Sequence, residues 1–153
     1  MSGEVPETWS TAYLGDVGPA PLPPQGQGWI DTKYTMFSFS QRGIAFGDIN
    51  WEQVDIYRMS PDDVTAFIAN IKDNPDEQQF TKEWKTAFIG GGEAQIRLFA
   101  TEPDGTVSKG GTGGAYYFFP KFGWIFWKQA LGNEEFERGV EHFFKTLRFG
   151  EGM

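Results

Sequence analysis

The sequence predicts a single α+β domain. Its expected parts are an antiparallel sheet or roll of six or seven strands, a C-terminal amphipathic helix and one further helix. Three observations lead there. Short apolar-alternating segments are separated by Gly, Pro and Asp turn signals. Residues 134–148 carry an apolar stripe at helical spacing. A chain of 153 residues suits one domain.

Residues 1–28 read as a Pro/Gly-rich N-terminal arm, and 29–150 as the domain. The arm holds five of the nine prolines, and acids but no Lys or Arg. Pro21-Leu22-Pro23-Pro24 favours extended geometry, because proline donates no hydrogen bond and fixes φ. Trp9, Tyr13 and Leu14 are costly to leave in water, so docking of the arm competes with a flexible leader.

Strands are expected at Tyr34–Phe39, at Ile44–Ile49 and around Val54–Ile56. Turn signals lie at Ser40-Gln41-Arg42-Gly43 and Gly47-Asp48-Ile49-Asn50. Ser60, Pro61 and Asp63 then form a helix start, and Val64, Phe67, Ile68 and Ile71 share one helical face. Residues 61–72 are also rich in strand formers, so a strand remains the alternative. Residues 73–83 are polar and read as a loop or short surface helix.

Strands follow at Trp84–Ile89 and Ala94–Leu98, split by Gly90-Gly91-Gly92. Glu102-Pro103-Asp104-Gly105 is a turn by composition, and residues 105–114 form a Gly-rich loop. Ala115–Phe119 and Trp124–Gln129 form a hairpin across Pro120-Lys121-Phe122-Gly123. Tyr116 and Phe118 lie on one face of it, Tyr117 and Phe119 on the other. Trp124 and Phe126 likewise oppose Ile125 and Trp127, so both faces need a cover. In the last helix Asn133 is an N-cap candidate, Phe136, Val140, Phe143, Phe144 and Leu147 form the stripe, and Gly150 is a stop. Gly139 in mid-helix suits close approach to a sheet.

Composition excludes several functions. Lys+Arg number 13 against 21 Asp+Glu, giving a net charge of −8, which repels nucleic-acid phosphate. Cys is absent, so there is no disulfide framework and no Cys-based metal site. No apolar run reaches the ~20 residues of a membrane-spanning helix. Residues 1–25 lack a basic n-region and an apolar h-region, which together with the missing Cys makes a cytoplasmic location the expectation.

No catalytic constellation stands out. His142 is the only histidine and carries no nucleophile–base pattern around it. Gly90-Gly91-Gly92-Glu93 and Lys109–Gly114 lack the Lys-Ser/Thr and the strand–helix context of phosphate loops. Asp73, Asp76 and Glu77 lack EF-hand spacing. No catalytic residue, metal or cofactor is therefore expected.

The expected function is non-enzymatic protein binding, of adaptor, chaperone or inhibitor type, through an acidic surface and an aromatic hairpin edge. Phe122, Trp124, Trp127, Tyr117 and Phe119 are its candidate binding residues, since aromatic side chains commonly anchor interfaces. A protein partner is expected and a homodimer is left open. Nucleic acid is not expected, and membrane contact is opposed by the acidic surface. Two other classes compete: a small-molecule carrier with an aromatic pocket, and a hydrolase using His142.

Two resemblances bear on this. Phe37–Phe46 with Ile49–Val54 resembles the early strands of pleckstrin-homology-like domains, and Trp124–Ala130 with Glu135–Leu147 resembles their last strand and closing helix. The match covers half the chain and rests on hydrophobic pattern. A helix at 61–72 departs from it, as does the lack of a basic cluster, for which Lys33 and Arg42 are too sparse. The resemblance implies a protein-binding rather than a lipid-binding member. The rival resemblance, to the PsbP-like α/β/α sandwich, accommodates that helix and the two-faced hairpin. Both families are mostly non-catalytic.

Overall fold

The computed structural model describes residues 2–17, 20–21, 29–30, 34–41, 43, 52–75, 78, 81–99, 114–128 and 134–149. Its strands are β1 (Ser10–Val17), β2 (Ala20–Pro21), β3 (Trp29–Ile30), β4 (Tyr34–Ser40), β5 (Gln53–Arg58), β6 (Thr81–Ile89), β7 (Gly92–Phe99), β8 (Gly114–Phe119) and β9 (Trp124–Lys128). The helices are α1 (Pro61–Asp73) and α2 (Glu134–Thr146). Seven strands form one sheet in the order β1-β4-β5-β9-β8-β7-β6, and every neighbouring pair is antiparallel. The α+β class is therefore as the sequence predicts.

Period-two alternation divides the sheet into two apolar faces. Val54, Ile56, Phe119, Trp124 and Phe126 lie on one, in a cluster completed by Phe136, Val140, Phe143 and Leu147. Tyr57, Tyr116, Phe118 and Ile125 lie on the other, where Val64, Phe67, Ile68 and Ile71 of α1 cover them. Each helix thus covers one face of the β8–β9 hairpin. Phe118 and Phe126, on opposite faces, are both fully enclosed.

The start of α1 follows from its first residues. Ser60 Oγ accepts a hydrogen bond from the Asp63 backbone N–H at 3.1 Å, and Pro61 occupies a first-turn position where no donor is needed. The helix carries the chain from β5, near mid-sheet, to β6 at its far edge. Gly90 and Gly91, both at positive φ, then make the tight turn into β7.

The hairpin turn is tied to the start of α1. Gly123 has φ of 78°, and its carbonyl accepts from the Met59 N–H at 2.9 Å. A Cβ at Gly123 would collide with the Met59 carbonyl oxygen, so only glycine fits.

Three expectations are corrected. The β8–β9 hairpin is not a sheet edge: β9 pairs with β5 and β8 with β7, which places it near the middle. The polar stretch to residue 83 is not all loop, since β6 begins at Thr81; as an edge strand it exposes Lys82 and Glu83 and needs little apolar sequence. The N-terminal stretch is built into the domain: β1 pairs with β4, and Ser2 exchanges backbone hydrogen bonds with Arg148. Trp9 stacks on Phe39 and Phe136, with ring centroids 6.0 and 5.7 Å away. Gly139 accordingly admits Trp9, not a strand: a Cβ there would strike the indole.

The expected strand at 44–49, the turns at 47–50 and 102–105, most of the Gly-rich loop, Asp76, Glu77, Asn133 and Gly150 lie outside the described residues. Among the described residues no helix is long and apolar enough to cross a membrane.

Candidate functional site

The helix α2 and the edge strand β6 are the two walls of an open groove of about 600 Å³, floored by Ile96 of β7, Tyr117 of β8 and Lys128 of β9. Lys85, Thr86, Ala87, Phe88, Ile89 and Gly90 all border it, and the register tells which of them sit on the α2 side. Lys85 pairs with Ile96 and Ala87 with Ala94, so both lie on the α2 side, with Ile96 and Ala94 in the α2-side core. The helix contributes Glu137, Val140, Glu141, Phe144 and Lys145. These fall at i, i+3, i+4, i+7 and i+8, one side of a helix turned toward the strand wall.

The floor is aromatic with a charged corner. Tyr117 and Phe144 have ring centroids 4.4 Å apart. Lys128 Nζ lies 6.0 Å from the Tyr117 ring centre and donates to Glu137 Oε2 at 2.7 Å. The Lys128 side chain is only 5% exposed, whereas that of Glu137 is 35% exposed. Glu137 Oε1 is buried with no hydrogen-bond partner among the described residues. Burial, and secondarily the Glu137 charge, push the Tyr117 phenol up to about 12. At neutral pH it is a protonated, neutral donor.

The rim carries a second ion pair, Lys145 to Glu141 at 2.9 Å across one helical turn, both well exposed. The hydrogen bond and charge of Lys145 lower the Glu141 carboxyl below its ordinary value. Lys85, also exposed, has no ion-pair partner among the described residues.

The five residues expected from sequence do not form one surface. Tyr117 lies in the groove. Phe119 and Trp124, 0% and 2% exposed, are enclosed in the α2-side core and offer nothing to a partner. Trp127 is on the opposite face, half-buried and stacked 5.8 Å from Tyr116. Phe122, at the turn, is half-buried, stacks 4.5 Å from Phe149 and covers Gly92. His142 is exposed and meets Glu4 at 3.3 Å.

Sequence reasoning missed Lys85, Lys128 and Glu137. The signal for Glu137 was its place seven residues before Phe144, on the border of the stripe. Lys85 and Lys128 come to the same groove only through non-local strand pairing.

A buried polar row crosses the other face. The register runs Ser38, Asp55, Trp127, Tyr116, Arg97, Trp84 over six neighbouring strands. Ser38 Oγ and Gln53 Nε2 donate to Asp55 Oδ1 at 2.6 and 2.7 Å, and Arg97 Nε donates to Thr81 Oγ1 at 2.8 Å. Ser38, Asp55 and Arg97 are all buried. The hydrogen bonds of Ser38 and Gln53 to Asp55 offset the cost of removing that carboxylate from water.

No family model, no curated protein and no solved structure matches this chain.

Proposed function

We propose that this chain is a non-enzymatic binding domain acting as a carrier for a small, largely apolar molecule held between α2 and β6. The observation that carries this reading is the groove itself. Its volume of about 600 Å³ falls in the range of roughly 300–1,000 Å³ typical of small-ligand sites. Its lining combines an apolar and aromatic floor with a few polar groups at defined places, the usual make-up of such sites.

The polar groups suit holding better than reacting. Lys128 is engaged by Glu137 and Lys145 by Glu141. Tyr117 holds its proton far above neutral pH, whereas an acid–base catalyst works best near its operating pH. The enclosure of Phe119 and Trp124 moves the reading away from an aromatic protein-docking hairpin.

A second reading, protein binding, is favoured by Phe88. It is 77% exposed on β6, the last strand of the sheet order, where an added strand from a partner finds an edge.

Native mass spectrometry of gently purified protein tests the carrier reading. A bound small molecule that is lost in a folded Phe144→Asp variant is the expected result. A stoichiometric complex with another protein chain, with no small molecule bound, would favour the second reading and count against the first.

A further inference from the structure

We infer that the groove takes an anionic amphiphile, an apolar monocarboxylate, with its tail over Tyr117, Val140 and Phe144 and its carboxylate at Lys85 on the rim. This rests on the carrier reading above and names the ligand class.

The groove and such a ligand are complementary in charge. The chain as a whole carries −8, yet three lysines line this one groove against two glutamates. Both glutamates are already engaged, Glu137 by Lys128 and Glu141 by Lys145. Lys85 is the groove's remaining lysine, with no ion-pair partner among the described residues, and it lies on the α2 side beside Ile96. A neutral apolar molecule would leave that ammonium without a counter-charge. A cationic one would meet it with like charge. A carboxylate at the rim keeps its charge in partial contact with water while its tail displaces water from the aromatic floor. Tyr117, also in the lining, carries a hydroxyl that stays protonated at neutral pH.

The test compares octanoate with 1-octanol, which share one chain length and differ in charge. Titrations at pH 7.5 are followed by isothermal calorimetry on the wild-type chain and on Lys85→Glu. Octanoate is expected to bind about two- to fivefold more tightly than octanol, the scale of one partly exposed ion pair. Added salt is expected to narrow that gap. In Lys85→Glu the preference for octanoate over octanol is expected to be lost or reversed. Because Lys85 is exposed on an edge strand, circular dichroism is expected to show an intact fold.

Equal affinity for the two compounds overturns the anion assignment and leaves the carrier reading standing. A preference for octanoate that Lys85→Glu does not alter overturns the role of Lys85. If neither compound binds folded protein, the carrier reading fails with it. Binding of an acidic peptide without binding of octanoate overturns the inference in favour of a protein partner. Should Lys85→Glu fail to fold, the wild-type comparison and its salt dependence still decide the question.

Discussion

Lys128 Nζ donates to Glu137 Oε2 at 2.7 Å, joining a strand near mid-sheet to the first half of α2. The two partners differ in exposure, the lysine being far more buried. This asymmetry decides what their removal does. Glu137→Gln leaves a buried ammonium without its counter-charge and is expected to cost about 1–3 kcal/mol. Lys128→Met replaces the ammonium with apolar volume and leaves a carboxylate whose Oε1 stays buried but whose side chain is 35% exposed. It is expected to cost less, under about 1 kcal/mol. The double variant should be more stable than Glu137→Gln alone. Urea unfolding of the four proteins completes the cycle, and purely additive effects would contradict the coupling.

Gly139 and Trp9 give a prediction with a change of sign. Glycine in mid-helix costs about 1 kcal/mol against alanine, but a Cβ here meets the Trp9 indole. Gly139→Ala is therefore expected to destabilise the wild-type chain, because Trp9 loses its stacking on Phe39 and Phe136. In a Trp9→Ala background the same substitution is expected to stabilise, by up to about 1 kcal/mol. Thermal unfolding of both pairs checks it. The same sign in both backgrounds would show that the glycine serves something other than Trp9.

Tyr117 predicts an alkaline loss of stability. Its phenol is raised above the ordinary value of 10.0 to about 12, first by burial and then by Glu137. With the folded value above the unfolded one, the stabilising contribution is complete below pH 10 and is lost as pH rises through about 12. Tyr117→Phe lacks this ionisation. The stability difference between wild type and Tyr117→Phe should be flat from pH 7 to 9 and move against the wild type above pH 10. Denaturant midpoints measured across that range provide the check. A difference independent of pH would mean that the phenol ionises as freely folded as unfolded.

Local features were legible in the sequence, and long-range ones were not. Ser60, Pro61 and Asp63 announce α1, and Val64, Phe67, Ile68 and Ile71 are its buried face, because capping and helical period depend on neighbours in the chain. The β8–β9 hairpin was legible for the same reason, as was its need for a cover on both faces. Its position near mid-sheet was not, since the pairing of Ile56 with Phe126 spans 70 residues and no local signal encodes it. β6 was read too short because an edge strand tolerates Lys82 and Glu83, which look like loop. The candidate site was the least legible part. Tyr117 was singled out as an aromatic, but Lys85, Lys128 and Glu137 come together only once β6, β9 and α2 are placed around the hairpin.

The groove between α2 and β6 is the proposed binding site. Amide chemical-shift mapping during titration with octanoate tests it most directly. The predicted result is a contiguous set of shifts on β6 at 85–89, on β7 around Ile96 and on α2 at 137–145, with the turn at Phe122 and the buried row at Asp55 unmoved. Shifts centred on the 120–123 turn or on the α1 face, with the groove residues silent, would contradict it.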